Sequence, residues 1–150
     1  MHSSGILTLA DKWEIQELVA QYAYAIDHRQ AQDWAELFTE DGQFISAGTL
    51  RARGREELIE YVKRAEQTGN QIRHWTCNML IEGDSERARL RLYVMAIDVS
   101  QTIRPYLMGE YDDRVVKLQG RWKFEVRNVQ FCVGKSWLDG GAPASNAADL

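Results

Sequence analysis

The stretch GREELIEYVKRAEQTGNQIRHWTCNMLIEGD, residues 54–84, changes its hydrophobic period part-way along. Before Thr68, the apolar residues Leu58, Ile59 and Val62 recur at helical spacing, and Glu56 and Glu57 suit the positive end of a helix dipole. Thr68-Gly69-Asn70 stops that helix. From Gln71 to Glu82 the pattern alternates by two, as it does in a strand with one covered face. A helix that runs out into a strand at this point divides the chain into a helical first half and a β second half.

Upstream, Ile15, Leu18, Val19, Tyr22 and Ile26 form one apolar stripe of a first helix that begins near Asp11 and ends at Asp27. A short second helix is predicted over 31–39, with Trp34, Leu37 and Phe38 inward and Glu40-Asp41-Gly42 closing it. Gln43–Ile45 reads as a short strand and Gly48 as a turn. Downstream, Gly83-Asp84-Ser85 is a hairpin turn. The strand Glu86–Ser100 follows, with Leu90, Leu92, Val94 and Ala96 on one side and Arg87, Arg89, Arg91 and Tyr93 on the other. Pro105 interrupts, then Tyr106–Leu118 and Arg121–Val133 complete an antiparallel meander around Gln119-Gly120. Helices first and a meander second make an α+β plan, with the helices on one face of the sheet. Long hairpins twist and curl, so the sheet should wrap into a cone whose mouth can hold a small ligand. Residues 1–138 are read as one domain, and 139–150, small and polar, as a frayed tail.

Composition narrows the function classes. The net charge of −4 leaves no basic surplus for nucleic acid or an anionic membrane. Arg51, Arg53 and Arg55 bracket a turn and read as a solvated edge. No apolar run approaches the roughly 18 residues of a membrane span, and no secretory leader is evident, so a cytoplasmic location is expected. Cys77 and Cys132 are expected to be buried free thiols. Trp13, Trp34, Trp75, Trp122 and Trp137 are expected in the core or the cavity wall, which suits an apolar ligand. There is no glycine-rich phosphate loop, no metal spacing among the three histidines and no nucleophile elbow, so no cofactor and no metal are expected.

Asp27 and His74 carry the chemistry. A carboxylate at a helix C-terminus opposes the dipole and asks for a partner. An imidazole in a half-covered strand, oriented by a carboxylate, can move a proton near neutral pH. Tyr24 and Ala23 share a helix face with Asp27, so Tyr22 and Tyr24 are candidate donors to a substrate oxygen. Asp98 continues the parity of Ala96 and would point into the cavity. Asn78 shares parity with His74. Arg127 alternates with Lys123 and Glu125 and would face outward unless a bulge turns it.

The segments IQELVAQYAYAIDHRQAQDWAELFTEDGQF, GREELIEYV, RHWTCNMLIEGD and GRWKFEVRNVQF, in that order, resemble the SnoaL-like, scytalone-dehydratase-like side of the nuclear-transport-factor-2-like superfamily. The resemblance spans about residues 12–133 and implies a cone of three N-terminal helices on a strongly curved, mixed, mostly antiparallel sheet. In the dehydratases and the hexachlorocyclohexane dehydrochlorinase, an Asp ending the first helix pairs with a His on the strand after the third. Asp27 and His74 stand at those places. The likeness extends to Asp27-His28-Arg29-Gln30 and to Arg127-Asn128, whose Arg lines the family pocket. Ile72 replaces the dehydrochlorinase's cysteine, which argues against the same substrate. The second histidine of scytalone dehydratase is missing, and Asp98 is the stand-in.

These features predict a cofactor-independent lyase or isomerase acting on a small apolar, cyclic, oxygenated molecule. His74 would be the base and Asp27 its orienter, with Tyr22, Tyr24, Asp98 and Arg127 contacting substrate. The alternative is a non-catalytic binding or assembly module, because Arg73-His74 followed by Asn78 also resembles the small subunit of ring-hydroxylating dioxygenases. The family likeness further implies a homo-oligomer, dimer or trimer.

Overall fold

The architecture is that of a computed structural model, described here for residues 5–133. The elements in chain order are α1 (Leu9–Asp27), α2 (Ala31–Glu36), β1 (Phe38–Ser46), β2 (Thr49–Arg53), α3 (Gly54–Glu66), β3 (Ile72–Gly83), β4 (Arg87–Asp98), β5 (Arg104–Leu118) and β6 (Arg121–Val133). The sheet order is β2-β1-β6-β5-β4-β3. β3 to β6 form the expected meander. β1 pairs with β6 in parallel and with β2 antiparallel, so the sheet is mixed. The helices cover its inner face, and one apolar cluster including Ile15, Trp34, Phe38, Tyr61, Leu90, Val115 and Phe124 fills the space between.

The chain between α2 and α3 departs from the sequence reading. Phe38 begins a nine-residue strand instead of ending a helix, and Glu40-Asp41-Gly42 lies within it. Trp34, Leu37 and Phe38 do recur at helical spacing. The β pairing wins because Phe38 packs on Phe124, 5.4 Å between ring centres, while the Leu37 carbonyl accepts the Phe124 N–H at 2.9 Å. Gly42 must be glycine, since a Cβ there would meet Phe38 Cβ at 2.8 Å and the Phe124 carbonyl at 3.1 Å. Pro105 lies inside β5 opposite Ile97, at a register break where a missing N–H is tolerated.

Exposure also differs. Cys77 and Cys132 are free, as expected, but exposed. Trp34 and Trp122 are core, whereas Trp13 and Trp75 are exposed on the outside. A β-sheet alternates its faces, and Trp75 takes the face opposite His74. Trp137 and the 139–150 tail lie outside the described residues.

α1 is anchored at its start by Thr8 and Asp11, which form a reciprocal capping box. The buried Asp11 carboxylate also accepts from Lys117 Nζ at 2.8 Å and Trp122 Nε1 at 3.1 Å, tying the helix to the β5–β6 hairpin. The Lys117 bond, with those from Thr8 and Trp122, holds the Asp11 carboxyl well below the usual carboxylate range. A depressed folded-state pKa adds stability above the unfolded value of about 3.9, and that stability is lost as the pH falls toward the folded value. Wild type should therefore lose more of its urea midpoint than Asp11→Asn on going from about pH 5 to about pH 2.5. Parallel losses in the two proteins would show that Asp11 is not the linked group.

Candidate active site

Asp27 is the last residue of α1, and the chain turns at once. The His28 N–H caps the Tyr24 carbonyl at 3.0 Å, and Arg29 takes the left-handed conformation at φ +58. The Arg29 guanidinium donates to the Ile26 carbonyl and to the Asn70 carbonyl, each at 2.9 Å. It thereby clasps the C-terminal end of α1 to the segment that leads into β3. Three residues into β3 stands His74. Its backbone N–H donates to Asp27 Oδ2 at 3.0 Å, and its Nδ1 lies 2.6 Å from Asp27 Oδ1. Both side chains are largely buried, His74 at 10% and Asp27 at 7% exposure. A carboxylate in that contact accepts a hydrogen bond from Nδ1–H, which keeps that proton on Nδ1 and leaves Nε2 as the basic nitrogen.

His74 lines an inner cavity between the helices and the sheet. Its wall includes Tyr22, Ile26, Ser46, Tyr61, Val94, Leu107, Tyr111, Val129 and Phe131, and its unfilled space is about 420 Å³ counting the open mouth. A water-sized sphere finds about 30 Å³ of room inside it, and the lining is mostly apolar with a few polar groups. Asp27 does not reach this cavity. It lies on an outer cleft that His74 also lines, together with Tyr24, His28, Arg73 and Trp75.

The other predicted site residues divide. Tyr22 is buried and lines the cavity. Tyr24 is 71% exposed and stacks on His28 in the outer cleft, so it is not a group of the inner cavity. Its helix position beside Asp27 was read correctly, but that face of α1 looks outward. Asp98 is the last residue of β4, accepting the Ser100 N–H at 2.8 Å and pairing with Arg104 at 3.2 Å. The Ser100 bonds and Arg104 hold its carboxyl below the ordinary range. The register break between Ala96 and Ile97 ends the parity that had aimed Asp98 inward. Asn78 sits at another break, at φ +55, and is exposed.

Arg127 is fully buried, contrary to strict alternation. The device is a bulge in β6, since Arg114 pairs with Val126 and Val115 with Phe124, leaving Glu125 as the extra residue. The Arg127 guanidinium carbon lies 3.6 Å from the Tyr111 ring centre, 3.9 Å from Tyr22 and 4.7 Å from Phe124. Its Nη2 is 3.5 Å from Oδ2 of Asp113, which is likewise fully buried and accepts the Asn128 N–H at 3.2 Å. Burial pushes the Asp113 carboxyl up to about 7, with Arg127 pulling the other way. Burial also raises the Tyr22 and Tyr111 hydroxyls, again opposed by Arg127.

Tyr111 and Asp113 were missed at the sequence level. They share parity with Leu107 and Val115, so a polar pair on the inward side of β5 was a legible signal. Ser46 could not be found that way, because the sequence reading ends the strand at Ile45, one residue short of it. Among the described residues no three His, Cys, Asp or Glu side chains come together as a metal site requires. No helix among them is long and apolar enough to cross a membrane.

The SnoaL-like domain family matches residues 7–128. The chain belongs to the SnoaL-like family. Among solved structures, a Mycobacterium tuberculosis protein of unknown function is 29% identical, covering 97% of this chain and 87% of its own with a TM-score of 0.78. A proposed scytalone dehydratase from Novosphingobium aromaticivorans is 29% identical over 82% of this chain and 85% of its own, with a TM-score of 0.73. An NTF2-like protein with a cystatin-like fold from the same organism, at 22% identity, 88% coverage of both chains and a TM-score of 0.75, shares the fold. No curated protein matches. This SnoaL-like chain thus has the NTF2-like architecture, and His74 lines the inner cavity of its cone.

A raised carboxyl pKa favours the protonated form in the fold. Asp113 contributes its stability below the unfolded value of about 3.9 and loses it as the pH rises through about 7. Thermal melts at about pH 5.5 and about pH 8 should show wild type falling relative to Asp113→Asn. An unchanged difference between the two proteins would place the Asp113 titration elsewhere.

Proposed function

We propose that this protein is a cofactor-independent lyase or isomerase that abstracts a proton from a small, apolar, oxygenated substrate, in the manner of a dehydratase. The observation that carries the reading is the double engagement of Asp27 by His74, at 2.6 Å to the ring and 3.0 Å to the backbone. One contact orients the imidazole and the other prevents the carboxylate from swinging away. His74 then presents Nε2 to the cavity as a base whose tautomer is set. When the proton is taken, the imidazolium forms against a carboxylate already in place, so little reorganisation is needed. Tyr22 supplies a hydroxyl on the same cavity wall, and the aliphatic and aromatic lining suits a ring of low polarity. The likeness to a proposed scytalone dehydratase at 29% identity supports the same reaction class. In an elimination, the proton removed from carbon by His74 is returned to the departing hydroxyl, and water leaves.

A panel of dehydratase and isomerase substrates tests this. With whichever substrate wild type turns over, His74→Ala should lower kcat about 10²–10⁴-fold, the range of a positioned general base. Asp27→Asn should retain the hydrogen-bonded shape and still lose a large part of that factor, because the amide cannot stabilise the imidazolium. Turnover that survives both substitutions sinks the reading. Recovery of the protein only in complex with a larger partner, with no turnover, would favour an assembly module instead.

A further inference from the structure

His74 lines two spaces, and the proposed proton abstraction uses only the inner one. The other is the outer cleft at the free edge of the sheet, between the last turns of α1 and the start of β3. A water-sized sphere finds about 330 Å³ of room there, against about 30 Å³ inside. Ala23 is the small residue on the α1 side of the cleft, and Tyr24, His28, Arg73 and Trp75 stand around it. We propose that the outer cleft is a second binding site, for a planar aromatic carboxylate, whose ring lies against Trp75 and Tyr24 while its carboxylate pairs with Arg73.

The aromatic surfaces are the first reason. Tyr24 is 71% and Trp75 67% exposed, and they come to one cleft from two different elements. One face of Tyr24 stacks on His28, with 6.0 Å between ring centres, which leaves the other face bare. Trp75 meets no other ring among the described residues. Single exposed apolar side chains are ordinary, but two large rings lining one concave space mark a place where flat apolar surface is covered.

The cation is the second reason. Arg73 and Trp75 are two residues apart on β3 and therefore share a face. The Arg73 Nη1 donates to the Ile72 carbonyl at 3.0 Å, which holds the guanidinium beside the cleft, and among the described residues no carboxylate pairs with it. Asp27 is the one carboxylate on the cleft, and His74 takes both of its oxygens. Burial holds the neighbouring Arg29 guanidinium below its ordinary value, Asp27 opposes that, and the like charge of Arg73 adds to it. This corner thus carries two guanidiniums and a carboxylate that is already spent. A planar guanidinium fork takes a carboxylate in two parallel hydrogen bonds. A ring that carries a carboxylate meets both needs at once, because a neutral ring leaves Arg73 unpaired and an anion without a ring leaves Tyr24 and Trp75 bare.

The site is independent of the lyase or isomerase reading and is tested without turnover. The probes are 2-naphthoate and its neutral amide, 2-naphthamide. Binding is read by proton–nitrogen NMR at the Trp75 indole N–H, a signal assigned by its loss in Trp75→Phe. 2-Naphthoate should shift that signal saturably, with half-saturation at about 1 mM or below. 2-Naphthamide should bind about tenfold more weakly, for want of the charged hydrogen bonds. Arg73→Gln should abolish the difference between the probes, whereas Arg121→Gln, at the far β5–β6 hairpin, should keep it. Tyr24→Ala should weaken both probes alike. Equal affinity for the two probes, discrimination that survives Arg73→Gln, binding unchanged in Tyr24→Ala, or no saturation by about 10 mM each overturns the proposal. So do shifts that gather at Val94 and Val129 of the inner wall in place of Trp75. A Trp75 signal that moves with protein concentration and not with probe shows a second copy on this face, and the proposal falls. Turnover by His74→Ala answers the catalytic reading separately, so either can fail without the other.

Discussion

Asp27 spends both carboxylate oxygens on one residue. A carboxylate at the C-terminal end of a helix faces the negative pole of the dipole and the last unpaired carbonyls, an unfavourable place by roughly 0.3–1 kcal/mol. Two features nearby offset this. The His74 backbone and ring supply two donors, and Arg29 brings a cation that caps the Ile26 carbonyl. The consequence is architectural as well as chemical. The end of α1 is fastened to the first turn of β3, the edge strand of the sheet, and Arg29 adds a second fastening to Asn70. With α1 held across the sheet at that edge, and at its other end by Asp11 on the β5–β6 hairpin, the space between helix and sheet stays open near His74.

The opposite wall depends on a bulge. Without the extra residue Glu125, alternation from Trp122 and Phe124 would send Arg127 to the solvent with Lys123. The bulge inverts the parity, and Arg127 and Val129 both turn inward. Burying a guanidinium costs several kcal/mol even after relaxation, and one ion pair at 3.5 Å does not satisfy five N–H groups. The aromatic faces of Tyr22, Tyr111 and Phe124 supply part of the compensation, since each exposes a negative quadrupole to the cation. The rest is the kind of local cost that folds carry at working sites.

How much of this was legible follows from how local each signal is. The end of α1 at Asp27, the period switch near residue 70 and the long strands β3 to β6 are written in contiguous patterns, and the structure has them within a few residues. With them came the prospect that Asp27 and His74 could meet. The misreadings have one physical source, which is pairing between distant segments. β1 carries helical spacing at its start and becomes a strand only because β6 is there to receive it. Asp98 and Arg127 were aimed by alternation, and each lies beyond a register break that alternation cannot foresee. Tyr24 was placed on the correct helix face, yet the sequence holds no mark of which side of Asp27 opens to the cavity.

The two polar walls differ in kind, and that difference is itself a constraint on chemistry. On the β3 side, the His74 ring is backed by the Asp27 carboxylate. On the β5–β6 side, the Tyr111 ring is backed by the Arg127 guanidinium. Between them stand Val94, Val129 and Phe131, which offer a ligand no competing polar group. Apolar walls lower the local dielectric, so both backing charges act more strongly than they would in water. A molecule held there would lie between a carboxylate-backed imidazole and a guanidinium-backed phenol. That polarity suits movement of electrons away from a C–H bond toward an oxygen, and it does not suit stabilisation of a cationic intermediate, which would have to form beside Arg127.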